Sequence, residues 1–545
     1  MKKILHRYVR VTFLLFIQTL LILNIAAQGF SPQVQSRLQH IIDSFQNNPV
    51  NPFVGGMSVT INVDGLAIWQ GATGYAARNI DADNNLVPGG SSFTNDKLSR
   101  IYSVTKTFCA ALVLELAQEG VLNLETPVNA ILPMNLINPE LNGSVTIRQL
   151  LAHESGYSDF ESEYMLQVSV AYMPSHQWTA FEAASFTHQI NPPGTVRQYS
   201  NTNYVLLGAI VEAVTGKPVE QHFRERFFDK LGLTSMYFAE REQPGSHGEL
   251  VDPHDNISMF NPIFSMTGQP TFPDAYTNIR RFPMTAVASL AFSGGAIVSN
   301  SADMAKWGNA LFGGRATSAS TLKTMLNSIS STPDEDDDYL GYGLWTNNKI
   351  SQTDFFVGHR GGALGYLALM MYQPDRKMTI ALVTNYHGCD VYQIEKKLYE
   401  ALPKFITGNE NRKEYKILLC WKGKEMSVAR EAAPEFIRKG AYLGPCECCN
   451  TFKLADEITA ENALTISPNP VKSHATITVN AGIGGFVSLQ LFDFSGKMVT
   501  QLYSGIMNKG DIRQFNFEAG NLPRGTYICR MQTEKGFTQQ KIVLH

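Results

Sequence analysis

The spacing of apolar residues divides this chain into three regions of different character. Residues 33–45 carry apolar side chains at helical spacing, which predicts an amphipathic helix. Residues 58–63 then alternate, turn at Asp64-Gly65 and continue over 66–69, the signature of a hairpin. A continuous apolar run over 108–119, stopped by Gly120, predicts a buried helix, and 204–215 before Gly216 predicts another. Two more apolar segments, 366–372 and 378–383, flank Gln-Pro-Asp-Arg-Lys and read as strands. Strands at both ends with helices between predict an antiparallel sheet flanked by helices plus a helical lobe, with a cleft between them. From 463 onward, short alternating segments between Gly, Asn and Asp turns predict a small all-β sandwich. The intervening 407–462 shows no clear period and is assigned as a linker or small extension.

Composition narrows the class. At 545 residues the chain exceeds one small core, and 44% hydrophobic with 17% charged residues is globular. A net charge of −3 without a basic block gives no footprint for nucleic acid. At the start, Lys2, Lys3, Arg7 and Arg10 precede an apolar stretch over 11–25 and then Ala26-Ala27, the order of a secretory signal peptide spanning 1–27. That stretch is shorter than the roughly 20 residues a bilayer requires, so cleavage is expected rather than anchoring, and no membrane span in the mature protein. Of seven cysteines, Cys446, Cys448 and Cys449 cluster; zinc would need Cys420 as a fourth ligand and a paired spacing that is missing. A local disulfide or free thiols are expected, and no metal. The acidic run at 333–338 lacks the alternating ligands of a calcium loop and reads as a solvated turn.

Three clusters could carry chemistry. Ser103-Val-Thr-Lys106 opens the buried helix, where residues three apart are neighbours. A partly buried lysine can lose its charge and activate the serine, beside unpaired helix N–H groups. Ser320-Thr-Leu-Lys323 has the same spacing but lies in polar sequence, and Ser320 reads as a helix N-cap. Tyr199-Ser-Asn201 leads into the second apolar helix; the tyrosine could accept a proton if a nearby ammonium lowers its pKa, and the amide could orient lysine or substrate. Tyr276-Thr-Asn278 shares the pattern without the helix and is set aside as a loop. His359-Arg360-Gly361-Gly362 precedes the strand at 366, where glycines permit close approach of a ligand and the Gly362 amide could bind an oxyanion opposite that of Ser103.

In this order, Ser103/Lys106, Tyr199/Asn201 and His359/Gly361 resemble the three signatures of the class C β-lactamase and D-alanyl-D-alanine carboxypeptidase type of serine hydrolase. Further matches are Thr146-Ile-Arg-Gln-Leu-Leu-Ala-His153-Glu-Ser-Gly156, Leu207-Gly208 and the segment from Ser293 to Met304. The resemblance implies an α/β (α+β) fold of the serine β-lactamase/penicillin-binding-protein kind over 28–406, needing no cofactor. It also implies that Ser103 becomes acylated while Lys106 and Tyr199 share proton transfer, in an order left open. Asn201 would position substrate and Lys106, His359 would hold a substrate carboxylate or tune Tyr199, and the Ser103 and Gly362 amides would bind the oxyanion. Histidine in the third signature, where class C enzymes carry lysine, weakens a permanent cation there. Arg360 either restores a cation or faces solvent, and with Gly361 is assigned to substrate binding. The expected activity is exported hydrolysis of a D-amino-acid peptide or a carboxylic ester. The alternatives are a β-lactamase or a non-catalytic cell-wall peptide-binding protein. Residues 463–545 resemble the C-terminal sorting domain of the type IX secretion system, through Ile466-Ser-Pro468-Asn-Pro470, the segment from Leu491 to Lys497, Leu522 to Tyr527 and the final Lys541-Ile-Val-Leu. The partners implied are a small-molecule or peptide substrate and the secretion machinery.

Overall fold

The computed structural model describes residues 29–47, 53–446 and 463–544, apart from short gaps at 283, 335–336 and 410–413 and several in the C-terminal part. The signal-peptide assignment, Cys448, Cys449 and parts of the sorting motifs lie outside the described residues. The chain forms two units, Met1–Cys446 and Glu447–His545.

In the first unit, strands β1 (Gly56–Val63), β2 (Ala67–Ile80) and β3 (Leu86–Ser92) pair with five from the far end of the domain. These are β4 (Tyr339–Gly341), β5 (Leu344–Thr346), β6 (Val357–Ala363), β7 (Tyr366–Gln373) and β8 (Met378–Thr384). The order is β3-β2-β1-β8-β7-β6-β5-β4, and its adjacent pairs are antiparallel. The seam between the two halves is β1 with β8, from Met57 opposite Thr384 to Val63 opposite Met378.

Why the central strands read as continuous apolar runs is now plain: both faces of the sheet are covered. Leu367, Leu369 and Met371 of β7 join one core with Val34, Leu38 and Ile42 of helix α1 (Pro32–Gln46). Ala368, Met370 and Tyr372 join the other, with the helical lobe. The lobe is built on α2 (Thr105–Gln118), and Phe108 stacks on Trp307 with ring centroids 3.7 Å apart. Helix α3 (Asn201–Thr215) ends on Gly216 in the left-handed conformation, as its sequence predicts.

Residues 406–409 and 414–443 form regular elements where the sequence shows no period. Strands Ile406–Asn409, Glu414–Trp421, Lys424–Ala429 and Tyr442–Leu443 form a small sheet with helix Ala433–Arg438. Among the described residues, Ile417, Leu419, Ala433, Ala441 and Leu443 are its buried apolar side chains, and they extend the core around α1. So few inward positions among charged ones leave no legible period. Cys446 pairs with Cys420 in a disulfide closing this extension. Cys420 is thus a disulfide partner rather than the fourth ligand that a zinc reading required.

In the second unit, a three-stranded sheet (Ala463–Ser467, His474–Asn480, Ile512–Glu518) and a four-stranded sheet enclose a core. Ile466, Ile477 and Val479 of the first and Leu489, Leu491 and Met531 of the second are among its buried residues, the alternation expected of a sandwich.

One buried group in the first unit has no role in the site. Glu395, on the helix Val391–Ala401, is fully buried and neither carboxylate oxygen has a hydrogen-bond partner among the described residues. Burial holds its carboxyl well above the usual value, so the folded chain keeps a proton that the unfolded chain loses. Stability therefore falls as pH rises above the unfolded value of about 4.3. Glu395→Leu is expected to raise the melting temperature at pH 8, with the gain shrinking as pH falls towards 4; calorimetry across pH measures it. A gain independent of pH would remove the titration argument.

Candidate active site

Ser103 sits in a tight turn, Tyr102–Val104, that feeds directly into α2. Tyr102 has φ of 40°, a conformation costly for a residue with a Cβ, and this bend turns the next residue out of the helix entrance. One helical turn on, Lys106 is fully buried and its Nζ donates to Ser103 Oγ at 2.9 Å. Two other acceptors hold the same nitrogen: Asn201 Oδ1 at 2.6 Å and the Gly294 carbonyl at 2.9 Å.

The Gly294 carbonyl owes its aim to a break inside helix α4 (Met284–Gly295), where Phe292 has φ 34° and ψ −134°. Ser293 pins the break by donating to the Tyr204 carbonyl at 2.6 Å. This explains Ser293-Gly-Gly in chemical terms. The segment supplies an acceptor for the lysine.

On the other side, Tyr199 Oη donates to Ser103 Oγ at 2.8 Å. From its sequence this tyrosine could accept a proton on condition that a neighbouring ammonium lowers its pKa. The opposite holds: protein packed around the ring pushes the hydroxyl well above the ordinary phenol value, so it stays a donor. The buried His153 and Trp345 fix the ring, the first stacked at 4.6 Å and the second edge-on at 5.5 Å. Burial brings Lys106 down to about 8, against the opposing pull of Glu161 and Asp159. A neutral amine is therefore within reach near physiological pH.

Strand β6 closes the site with the third cluster. Gly361 passes so near the serine turn that a Cβ there would lie 2.0 Å from the Ile101 carbonyl oxygen and 2.7 Å from the Ser103 nitrogen. Its glycine admits the nucleophile's own backbone, not a ligand as the sequence suggested. Arg360 and Gly362 line the cleft beside Ser103. His359 does not line it: it is 1% exposed, stacked on Trp345 at 4.6 Å and brought down to about 3 by burial, then by Lys106. The cation presented by this cluster is Arg360.

The look-alike motifs separate cleanly. Ser320 is exposed on the helix Ala319–Asn327, whose N-cap is Ser318, two residues before the predicted one. Asn278 is buried, bonding the Arg78 carbonyl and Asp252.

The cleft has a volume of about 110 Å³ and shares Tyr102, Glu161 and Ala291 with a larger apolar cavity of about 340 Å³. Phe160, Phe260, Phe264 and Phe282 line that second cavity. Glu161 is exposed and lines both cavities, and the surrounding protein, then Asp159, raise its carboxyl's pKa. Sequence reasoning missed Asp159 and Glu161, as well as His153 and Trp345 as ring supports. They belong to no spaced motif, though Asp159 follows closely on the matched segment ending at Gly156.

With this geometry established, comparison with known proteins gives its family. The family described as beta-lactamase matches residues 48–402, and the secretion system C-terminal sorting domain matches 465–545. The chain belongs to the beta-lactamase family. This beta-lactamase-family chain is 26% identical over 375 residues to an unguisins hydrolase of Aspergillus campestris, covering 66% of the chain and 65% of that protein. It is 34% identical over 145 residues to penicillin-binding protein 4 of Amycolatopsis lactamdurans, covering 26% of the chain and 37% of that protein. Among solved structures, the D-amino acid amidase of Ochrobactrum anthropi SV3 complexed with D-phenylalanine superposes with a TM-score of 0.55 at 26% identity, over 68% of this chain and 99% of that one. The fold is that of β-lactamases and penicillin-binding proteins, and the sorting domain directs type IX export to the cell surface or beyond it. No described helix is long and apolar enough to cross a membrane.

Proposed function

We propose that this exported serine hydrolase forms an acyl-enzyme at Ser103 and acts on amides or peptides of D-amino acids with an apolar side chain. The observation that carries the chemistry is Ser103 Oγ held between Lys106 Nζ at 2.9 Å and Tyr199 Oη at 2.8 Å. An ammonium at 106 would spend its three hydrogens on three acceptors. The neutral amine keeps two, for Asn201 Oδ1 and Gly294 O, and its lone pair then points at Ser103. Lys106 is the first base in this reading, and Tyr199, still protonated, is the donor.

Lys106 takes the Ser103 proton as Oγ bonds the substrate carbonyl carbon, and the Ser103 and Gly362 amides stabilise the oxyanion. The C–N bond then breaks as the leaving nitrogen takes a proton from Tyr199, which Lys106 recharges. Water attacks the ester with its proton passing to the same pair; the acyl C–Oγ bond then breaks as that proton is returned to Ser103 Oγ, and the acid departs.

Three observations favour a D-amino-acid substrate over a β-lactam. Solved relatives at 25–27% identity include a D-stereospecific amidohydrolase and a D-amino acid amidase. Tyr199, Trp345 and Arg360 line the cleft and are absent from the walls of the apolar cavity, which shares Glu161 with it. With Tyr199 serving the leaving group, the acyl side chain points to the cavity, and a carboxylate at the junction suits an α-ammonium.

Purified protein is expected to bind a fluorophosphonate at Ser103, and Ser103→Ala to lose the label; labelling that survives would overturn the acyl-enzyme reading. D-phenylalanine p-nitroanilide should be cleaved faster than its L-isomer, than nitrophenyl acetate and than a chromogenic cephalosporin. Glu161→Gln should raise KM roughly tenfold for the free amine, the worth of one charge-assisted contact, and much less for its N-acetyl derivative. Equal changes for both would remove Glu161 from amine recognition.

A further inference from the structure

The cluster of charge nearest the reacting atoms that this chemistry leaves unused is Asp159. It caps the short turn Phe160–Ser162, accepting from the Glu161 amide at 3.0 Å through Oδ1. Its other oxygen, Oδ2, accepts twice from Asn201: from the side-chain Nδ2 at 2.9 Å and from the backbone N–H at 3.2 Å. An amide side chain can be placed either way round, and only one way helps the lysine. A carboxylate accepts and cannot donate, so the NH₂ end of Asn201 must face Asp159. The carbonyl end is thereby turned to Lys106, 2.6 Å away.

We propose that Asp159 is a positioning residue for Ser103 activation: by fixing the Asn201 amide, it aims the Lys106 lone pair at the serine hydroxyl. With Asn201 Oδ1 and Gly294 O as fixed acceptors, two of the amine's three tetrahedral directions outside its own chain are occupied by N–H bonds. The third is left for the serine. If the Asn201 amide rotates, its NH₂ meets the amine's hydrogens, and the direction of the lone pair is no longer defined. The inference rests on the acyl-enzyme reading above.

Asp159 also acts through charge. Asp159 and Glu161 are the carboxylates that favour the Lys106 ammonium. Facing the same nitrogen are the rings of Tyr199 and Tyr204 from other elements and, from its own helix, the thiol of Cys109. His153 and His359 stand near it uncharged, and Arg360 lies across the cleft. Removing one of two nearby negative charges makes the lysine easier to deprotonate.

The test is a double-mutant cycle on the second-order rate of fluorophosphonate labelling, followed from pH 6 to 9.5. Asp159→Ala should slow labelling by at least about tenfold in the parent and hardly at all in an Asn201→Ala background, because one relay cannot be cut twice. Asp159→Asn can still present a carbonyl to Asn201, so it should keep more of the rate while its rising pH limb moves to lower pH. Independent, multiplying losses for Asp159→Ala and Asn201→Ala, or an Asp159→Asn limb that does not move, would overturn the proposal. Parent protein that labels at Ser103 while Asp159→Ala labels equally fast defeats this inference alone. Parent protein that does not label defeats the acyl-enzyme reading and takes this inference with it.

Discussion

Replacing Lys106 by alanine is expected to slow acylation of Ser103 by about a thousandfold, in the middle of the range for removing a positioned general base. The geometry explains the size. No other basic side chain hydrogen-bonds Ser103 Oγ among the described residues, and its remaining partner, Tyr199, is held protonated by the packing around it. The same argument fixes the pH dependence. With Lys106 at about 8, the ammonium form prevails below that value and offers no lone pair, so the acylation rate should rise with pH through this region and level off above it. Lys106→Arg separates base from charge: guanidinium keeps the cation but cannot be deprotonated in a protein, so it should be as slow as alanine. Labelling rates from pH 6 to 9.5 measure both. An arginine variant near the parent rate, or a parent rate flat with pH, would show that Lys106 serves as a fixed cation instead.

What the sequence made legible follows from which constraints are local. The Ser103/Lys106 pairing is a consequence of one helical turn, and the apolar runs around Phe108 and Tyr204 are visible because both helices are buried on nearly every side. The halves of the sheet could be matched because β1 alternates as a strand does while β7 and the middle of β8 are runs of apolar residues. The elements of the small extension after 405 were not legible for the converse reason: among the described residues it buries only a handful of side chains, and it leans on a core made elsewhere. Asp159 and Glu161 are illegible in a different way. Each stands beside a residue more than 40 positions away, Asn201 for Asp159 and Lys106 for Glu161, and nothing in Ser158-Asp-Phe-Glu161 indicates that a helix N-terminus carrying Asn201 will be set against it.

The third motif shows most clearly where a pattern and its physical cause part company. Reasoning from charge placed the interest at His359, because a histidine stands where a lysine would be cationic. In the fold that ring is buried against Trp345 and uncharged, and the strand's alternation presents Arg360 to the cleft. The cation at the cleft is then the neighbouring residue, Arg360, while the glycine carries the structural demand.

That demand leads to the second large effect. Gly361→Ala is expected to lower kcat by about a hundredfold, a loss comparable to that of one oxyanion donor, although no side-chain atom is removed. The added Cβ would lie 2.0 Å from the Ile101 carbonyl oxygen and 2.7 Å from the Ser103 nitrogen. Both are backbone atoms, so no rotamer change relieves the collision; the strand and the serine turn must separate. Separation draws the Gly362 amide away from Ser103 and loosens the contact that holds the strained Tyr102 bend. Overpacking of this kind also costs about 1–3 kcal/mol of stability, so the melting temperature should fall by several degrees while the protein stays folded. Gly362→Ala is the contrast. Its Cβ would meet Leu367 Cδ2 at 2.4 Å, the end of a flexible side chain that can turn aside, and the backbone amide is kept. It should lose far less activity than Gly361→Ala. The comparison is decisive when kcat and thermal melting are measured on both variants. If Gly361→Ala keeps the parent kcat, the close approach of β6 to the serine turn is not what assembles the site.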